Sequence, residues 1–569
     1  MLAPPSRFRC IAAAQAPFSV IPASLRRPDA HVLSLAWLAA LALAGIGGDF
    51  PINDDWSYAR TVQRLVETGV YAPGGWTSMP LLTNVWWGAL FCLPAGFSHE
   101  ALRLSTVVAG VAMGYGSYVL ARDMGWTRGP AAVAMAVVLF NPLTVVSSAT
   151  FMTDVPSAAA VVWAAVFFAR ALRYPTVSAV LWATGFSIVA TLSRQTGLAL
   201  PLAFGLVFVV RHGVRLGTVG QAAGPLAASV AALVGYGHWL EVTGRVPALY
   251  ALKTEMLAER LADPVELASV VAMNGYGIVL TLGLVLAPLA VLATADTVRR
   301  RGWAVAVAVC ALGAGVAAVA VRGLPVLGNV LVPQGAGPLT LFDREVLHLR
   351  NIATLPRAFW TAATVIGGAA AVGLLAAAGA GIVRAVRRTQ PELASVLAVG
   401  AFLLLAGAAT LAPLLPGDFF DRYLVPVIPL WGAGALSLLG RRAVPRRALA
   451  LAAVLLVGMA AVSVVVLHDY FAWNRARWAL LAHVETEAPD VWRRIDGGFE
   501  FNGWTRYDPQ AARQRGRSWW APSARDVIAF GSVRGYREVA GVPYTRWWPH
   551  GRGRIVWLQR VTPAPRSTG

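Results

Sequence analysis

The stretch from Val32 to Tyr58 reads VLSLAWLAALALAGIGGDFPINDDWSY, and its reading decides the fold class. Its first part, Val32–Gly48, contains no charged side chain, and Ser34 is its only hydroxyl. An apolar run of this length crosses a bilayer as a helix, because lipid offers no partner to free backbone N–H and C=O groups. The second part holds Asp49, Asp54 and Asp55. Acidic residues therefore begin where the first span is expected to leave the membrane.

The rest of the chain repeats the pattern, with apolar blocks at Ala131–Phe140, Ala304–Val321 and Ala448–Leu467. Of the 569 residues, 57% are hydrophobic and only 13% charged, about half the charged fraction of a soluble domain. This excludes a soluble protein. The pattern predicts an all-α polytopic protein of about 13 transmembrane helices. Their cores are 31–48, 101–121, 130–148, 156–171, 177–193, 197–211, 219–240, 270–295, 302–321, 357–383, 393–412, 422–440 and 447–467. The apolar stretch 80–97 is interrupted by Pro94 and Gly96 and is placed in the interface. No small-residue cleavage site follows the first span, which is read as an anchor.

Charge fixes the expected orientation. All but one of the 48 basic residues are Arg, the exception being Lys253, and the net charge is +20. The basic residues fall between apolar blocks rather than on one face, so no nucleic-acid partner is expected. With the N-terminus in the cytoplasm, the inside segments hold 20 Arg against 4 acids, and the outside loops hold 12 basic residues against 15 acidic ones. The predicted organisation is a cytoplasmic segment 1–30, a membrane domain 31–467 whose first outside loop is 49–100, and an extracytoplasmic domain 468–569. The tail carries Trp519-Trp520, Trp547-Trp548 and an alternating stretch, Arg554–Leu558, that reads as a strand. A small α/β domain is expected there. The expected location is the plasma membrane. Cys10, Cys92 and Cys310 have no disulfide or metal-ligand spacing.

Two outside loops draw attention. In the first, Tyr58, Val62, Leu65 and Val66 share one face at helical spacing after the Asp54-Asp55 pair, predicting an amphipathic helix. In the second, Asp154 stands alone in Thr153-Asp154-Val155-Pro156. Either acid reads equally as a helix cap. Further on, Asp421-Arg422-Tyr423 precedes Pro426 and Pro429, and Arg194 lies in Ser193-Arg194-Gln195-Thr196-Gly197. An Arg at a span boundary either snorkels to headgroups or grips a phosphate. The long loop 322–356 adds Asp343, Arg344, His348 and Arg350.

Taken in order, these segments resemble the GT-C type membrane glycosyltransferases. The similarity is to the protein O-mannosyltransferases and the lipid A aminoarabinose transferases, glycosyltransferase family 39-like. It rests on Asp54-Asp55-Trp56-Ser57-Tyr58, Ser78-Met79-Pro80, Leu102-Arg103-Leu104-Ser105, Asp154, Arg194 and Arg422-Tyr423 with Pro426 and Pro429. Met79 departs from the pattern, since the family segment often carries Lys before Pro, and so does Asp55, where Glu is frequent.

The resemblance implies a GT-C fold and a polyprenyl-phosphate sugar donor. The sugar would pass to a hydroxyl of a protein, lipid or glycan acceptor on the extracytoplasmic side. It implies Asp54 as general base and Asp154 as the residue that orients acceptor or base. Asp55 would assist by positioning the interfacial helix or by holding a divalent cation, Mg²⁺ or Mn²⁺. No metal site is otherwise expected. Arg422 and Arg194 would stabilise the leaving phosphate, with Tyr58, Tyr423 and Asp421 contacting substrate. A glycan polymerase or ligase is a rival reading. So is a lipid-linked-sugar transporter, although transport sites place ionisable groups near mid-membrane and these span interiors carry almost none.

Overall fold

The computed structural model of the chain describes residues 28–302, 323–341, 352–386, 391–439, 444–509, 519–521 and 523–561, with scattered positions between 304 and 315. The N-terminal segment 1–27, the bulk of the predicted span 302–321, and Asp343, Arg344, His348 and Arg350 lie outside the described residues.

Each of the other predicted spans overlaps one helix or two consecutive helical segments. Among the described residues, eight helices are long and apolar enough to cross a membrane, nine if one bent pair counts as a span, and Pro28–Ala44, Val177–Ser193 and Val427–Ser437 are shorter apolar helices. The closest packing rests on small residues. A Cβ on Gly283 would meet the Gly367 carbonyl at 2.1 Å, so helices Pro264–Val285 and Arg357–Val386 pack backbone against backbone there, as small residues allow between membrane helices.

Three spans differ from expectation, each at a proline. The run 130–148 bends by 55° between Arg128–Phe140 and Pro142–Ser148. Asn141 explains the break. Its Nδ2 donates to the carbonyls of Val137 and Val138 at 2.8 and 2.9 Å, and its Oδ1 accepts the Thr144 N–H at 3.0 Å. One side chain thus closes the first helix and caps the second, whose first residue is Pro142. The run 270–295 ends at Val285, and a new helix, Ala287–Arg301, opens with Pro288 in its first turn. The run 422–440 starts as a 3₁₀ turn, Asp421–Leu424, and becomes α-helical only at Val427, after Pro426.

The predicted amphipathic helix is present as Asp55–Thr68, with Tyr58, Val62 and Leu65 buried. It ends at Gly69, whose φ of +71° suits a residue without Cβ. The interfacial stretch forms the helix Leu82–Cys92.

The longest helix, Arg446–Glu487, runs for 42 residues without interruption. The boundary expected at 467 therefore falls inside it. Beyond it come helices Pro489–Trp492 and Phe499–Arg506 and a three-stranded antiparallel sheet. Strand Gly551–Arg560, which contains the predicted Arg554–Leu558, is central between Asp526–Ala529 and Tyr536–Arg546, with a bulge at Glu538–Ala540. Val527, Ala529, Val556 and Leu558 form the core of this sheet.

Candidate active site

The first loop is shaped by a cation. Arg103, 3% exposed, donates to the carbonyls of Ile46, Gly48 and Phe50 at 2.8, 2.9 and 3.0 Å. Three carbonyls of an irregular segment are satisfied by one guanidinium, as buried polar groups must be. At the tip, Asn53 adopts φ +61°, a left-handed conformation that Asn tolerates better than most residues. Its Oδ1 accepts the Asp54 N–H at 2.9 Å.

That geometry turns Asp54 inward. Its Oδ2 accepts from Arg422 Nη2 at 2.8 Å, and its Oδ1 accepts from the Trp76 indole N–H at 3.0 Å. Asp54 sits at the N-cap position of Asp55–Thr68 but makes no side-chain cap bond. Its carboxylate is committed to the charged cluster instead.

Arg422 continues the chain of charges. Its Nη1 lies 3.8 Å from Asp154 Oδ2, and Asp154 Oδ1 accepts from Arg194 Nη1 at 2.7 Å. Arg194 Nη1 also donates to Thr153 Oγ at 3.1 Å. Both guanidiniums cover the Tyr423 ring, Arg194 at 4.7 Å and Arg422 at 5.5 Å from its centroid. With side chains 9% and 4% exposed, neither Arg reaches toward headgroups. Burial works against the Arg422 charge, but Asp154 and Asp54 outweigh it and hold the guanidinium above its usual range. Tyr58 is 2% exposed, and burial followed by the Asp54 charge pushes its phenol up.

Asp154 opens helix Asp154–Arg173 with Thr153 as cap, so the acid lies in the first turn rather than at the cap itself. Its Oδ2 is buried without a hydrogen-bond partner among the described residues. Arg422 Nε is in the same condition. A void of about 10 Å³ lies between Arg422, Asn53 and Tyr470, room for roughly one water. The charged groups are closed on one another.

Two predicted residues are not brought into the cluster. Asp55 accepts from the backbone N–H of Ile52 at 2.6 Å and of Phe151 at 3.0 Å, stapling the first loop to the second. Asp421 accepts from Val330 and Leu331 N–H at 2.8 and 2.6 Å, anchoring the segment 323–341. Burial raises each carboxyl to about 7, against the lowering effect of those backbone donors. Both oxygens of each carboxylate are bound by backbone N–H groups. Asp55 is also a poor cation ligand, since N–H groups occupy both oxygens. Among the described residues no group of three or more His, Cys, Asp or Glu is arranged to hold a metal ion, and Asp54 and Asp154 face guanidiniums. The donor set does not fit a divalent cation.

Other residues of the site gave no sequence signal. Trp76 reaches Asp54 only through the turn that follows helix Asp55–Thr68. Its ring is also in edge contact with Phe499, Trp519 and Trp520 from the C-terminal part. Glu500 and Arg477, neither exposed, form an ion pair at 2.8 Å behind the first loop. Met79, at the position where the resembling family often carries Lys, is buried among apolar side chains. The neighbouring Pro80 carbonyl accepts from Tyr236 and Tyr71 hydroxyls at 2.7 and 3.3 Å.

Residues 79–239 match the family model for dolichyl-phosphate-mannose-protein mannosyltransferase. No curated protein matches the chain. Among solved structures, the chain is similar to the apo crystal structure of ArnT from Cupriavidus metallidurans, with 16% identity, a TM-score of 0.40, and coverage of 93% of this chain and 97% of that one. The same protein bound to undecaprenyl phosphate gives 13% identity, a TM-score of 0.39 and the same coverage. The cryo-EM structure of arabinosyltransferase EmbB from Mycobacterium smegmatis gives 15% identity and a TM-score of 0.35, covering 94% of this chain and 47% of that one.

Proposed function

We propose that this chain is a GT-C type membrane glycosyltransferase that transfers a sugar from a polyprenyl-phosphate donor to an acceptor hydroxyl on the extracytoplasmic face, a reading supported by the family match over residues 79–239. Segment 1–30 lies in the cytoplasm and the chain beyond 467 on the opposite side. The observation that carries the reading is the convergence of Asp54, Arg422, Asp154 and Arg194 into one buried chain of alternating charge. Four separate loops supply it, all of them expected on one side of the membrane from the distribution of Arg.

Transfer needs a base for the acceptor proton and positive charge for the leaving phosphate. The acceptor oxygen attacks the anomeric carbon, and its proton passes to the Asp54 carboxylate. The bond from that carbon to the phosphate oxygen breaks, and the polyprenyl phosphate departs with the electron pair. Arg422 and Arg194 stabilise it through charge-assisted hydrogen bonds. In the closed arrangement Arg422 is shared between two carboxylates. A phosphate competes for its donors and loosens its hold on Asp54, so donor binding both opens the site and frees the base. Asp154 keeps Arg194 aligned. Asp55 and Asp421 fix the loops that carry Asp54 and Arg422.

Reconstitution with a panel of polyprenyl-phosphate sugars tests this. Asp54→Asn and Asp154→Ala should abolish transfer while donor binding persists, and unchanged transfer by Asp54→Asn removes the assignment. Labelling of Trp519→Cys in a background without the native cysteines, by an impermeant reagent applied outside, tests the sidedness.

A further inference from the structure

On the far side of helix Phe499–Arg506 from the Trp56 and Trp519 rings lies a cleft of about 430 Å³. Its lining includes Arg60, Trp478, Glu485, Trp492, Phe501 and Trp504. It is separate from the charged cluster. Arg60 and Tyr58 are two positions apart on helix Asp55–Thr68, roughly 200° around its axis, and Tyr58 faces the cluster.

The aromatic walls are fixed from behind. Phe50 stacks on Trp478 with centroids 6.0 Å apart and planes at 11°, and Phe97 stacks on Trp504 at the same spacing and angle. Trp492 meets the Phe501 ring edge-on at 5.5 Å. The Arg60 guanidinium lies 4.5 Å over the Trp504 ring and donates to the Trp504 carbonyl. Against these walls stands one uncommitted charged group. Glu485 is exposed and forms no ion pair among the described residues.

The volume lies within the usual range for a small-molecule pocket. An acyl chain would leave Glu485 unanswered. An anionic headgroup would meet Glu485. A sugar ring answers both the carboxylate and the aromatic walls, because one face presents C–H bonds to the indoles and its rim presents hydroxyls that donate to Glu485. We propose that this cleft is a glycan-binding subsite that takes a neutral sugar unit. That it holds a remote unit of the acceptor rests on the transferase reading. That it binds sugar does not.

The test uses the full chain in nanodiscs free of glycoside detergent, with saturation-transfer NMR and equilibrium dialysis. The probes are linear oligosaccharides of mannose, arabinose and N-acetylglucosamine. At least one should bind, Trp492→Ala and Glu485→Gln should each weaken it about tenfold or more without shifting the thermal midpoint, and Asp54→Asn should bind as wild type. Transfer can then fail while binding survives, which separates the two readings. No binding by any probe, binding indifferent to both cleft substitutions, or displacement by soluble phosphoglycerol but not by sugar overturns the proposal.

Discussion

Glu500 accepts the backbone N–H of Asn53 at 3.0 Å across 447 positions of chain. Its other oxygen accepts from Arg477 at 2.8 Å and Thr340 at 2.6 Å. The residue before Asp54 is therefore held by the C-terminal part of the protein, through an ion pair that no solvent reaches.

Breaking that pair should be expensive. Glu500→Ala leaves the Arg477 charge buried and alone, a situation that costs about 3–5 kcal/mol. The variant should show a clearly lower thermal midpoint and lose transfer, because Asn53 no longer holds its left-handed tip. Glu500→Gln, whose one carbonyl oxygen still accepts from Asn53 while its amide N–H₂ faces the Thr340 hydroxyl, should recover more activity than stability. Thermal unfolding and turnover, measured together, check this.

Trp76→Phe keeps a ring against Phe499, Trp519 and Trp520 but removes the donor to Asp54. A hydrogen bond to a charged group is worth about 1.5–3 kcal/mol, so kcat should fall by roughly 10–100-fold. The KM for donor should stay near the wild-type value, since Trp76 touches neither Arg422 nor Arg194. A change confined to KM would count against this role.

Arg422→Lys should behave as a loss, not a conservative change. One ammonium cannot span Asp54 and Asp154 as the planar fork does. A fall in kcat/KM of at least about 100-fold is expected, with weakened donor binding. Arg194→Lys should be milder, because its principal partner is Asp154 alone. Steady-state kinetics beside a donor-binding isotherm distinguish the two.

The buried carboxyls predict a pH signature. Asp55 rises to about 7 from an ordinary 3.8 through burial, so the native state keeps its proton where the unfolded chain has lost it. That stabilisation is complete below pH 4, declines as pH rises toward 7, and is gone above. Asn at this position does not titrate. The stability advantage of wild type over Asp55→Asn should therefore shrink from pH 4 to pH 7 and then level off. Asp421→Asn should follow the same curve, its carboxyl also rising to about 7. Thermal midpoints at several pH values test both, and an advantage that grows with pH would contradict the burial argument.

The apolar runs made the helices legible, because a membrane span writes itself in composition. The breaks at Asn141-Pro142 and Leu286 were less visible: proline announces a strained position, yet only packing decides whether a helix bends or restarts. Asp54, Asp154 and Arg422 were legible as a group through the loops they occupy. The inward turn of Asp55 and Asp421 was not, since a carboxylate bound to backbone N–H groups of a remote loop looks the same in sequence as one facing substrate. Glu500 was hidden for a related reason. Its partners Asn53 and Thr340 lie 447 and 160 residues away, and only its position between Phe499 and Phe501 hints at burial.

The unbroken helix Arg446–Glu487 has a mechanical consequence. Its 42 residues extend for roughly 63 Å, about twice the hydrocarbon thickness, so it stands as a mast well clear of the bilayer. Arg475 on it moors the Gly45 carbonyl, Asp469 moors the Trp547 and Trp548 amides at the turn between the last two strands, and Arg477 moors Glu500. Such a mast has no hinge at the water line, and the upper part cannot swing aside to admit a bulky molecule. On the transferase reading proposed above, substrates would reach the charged cluster sideways, the lipid between helices and the acceptor along the flank.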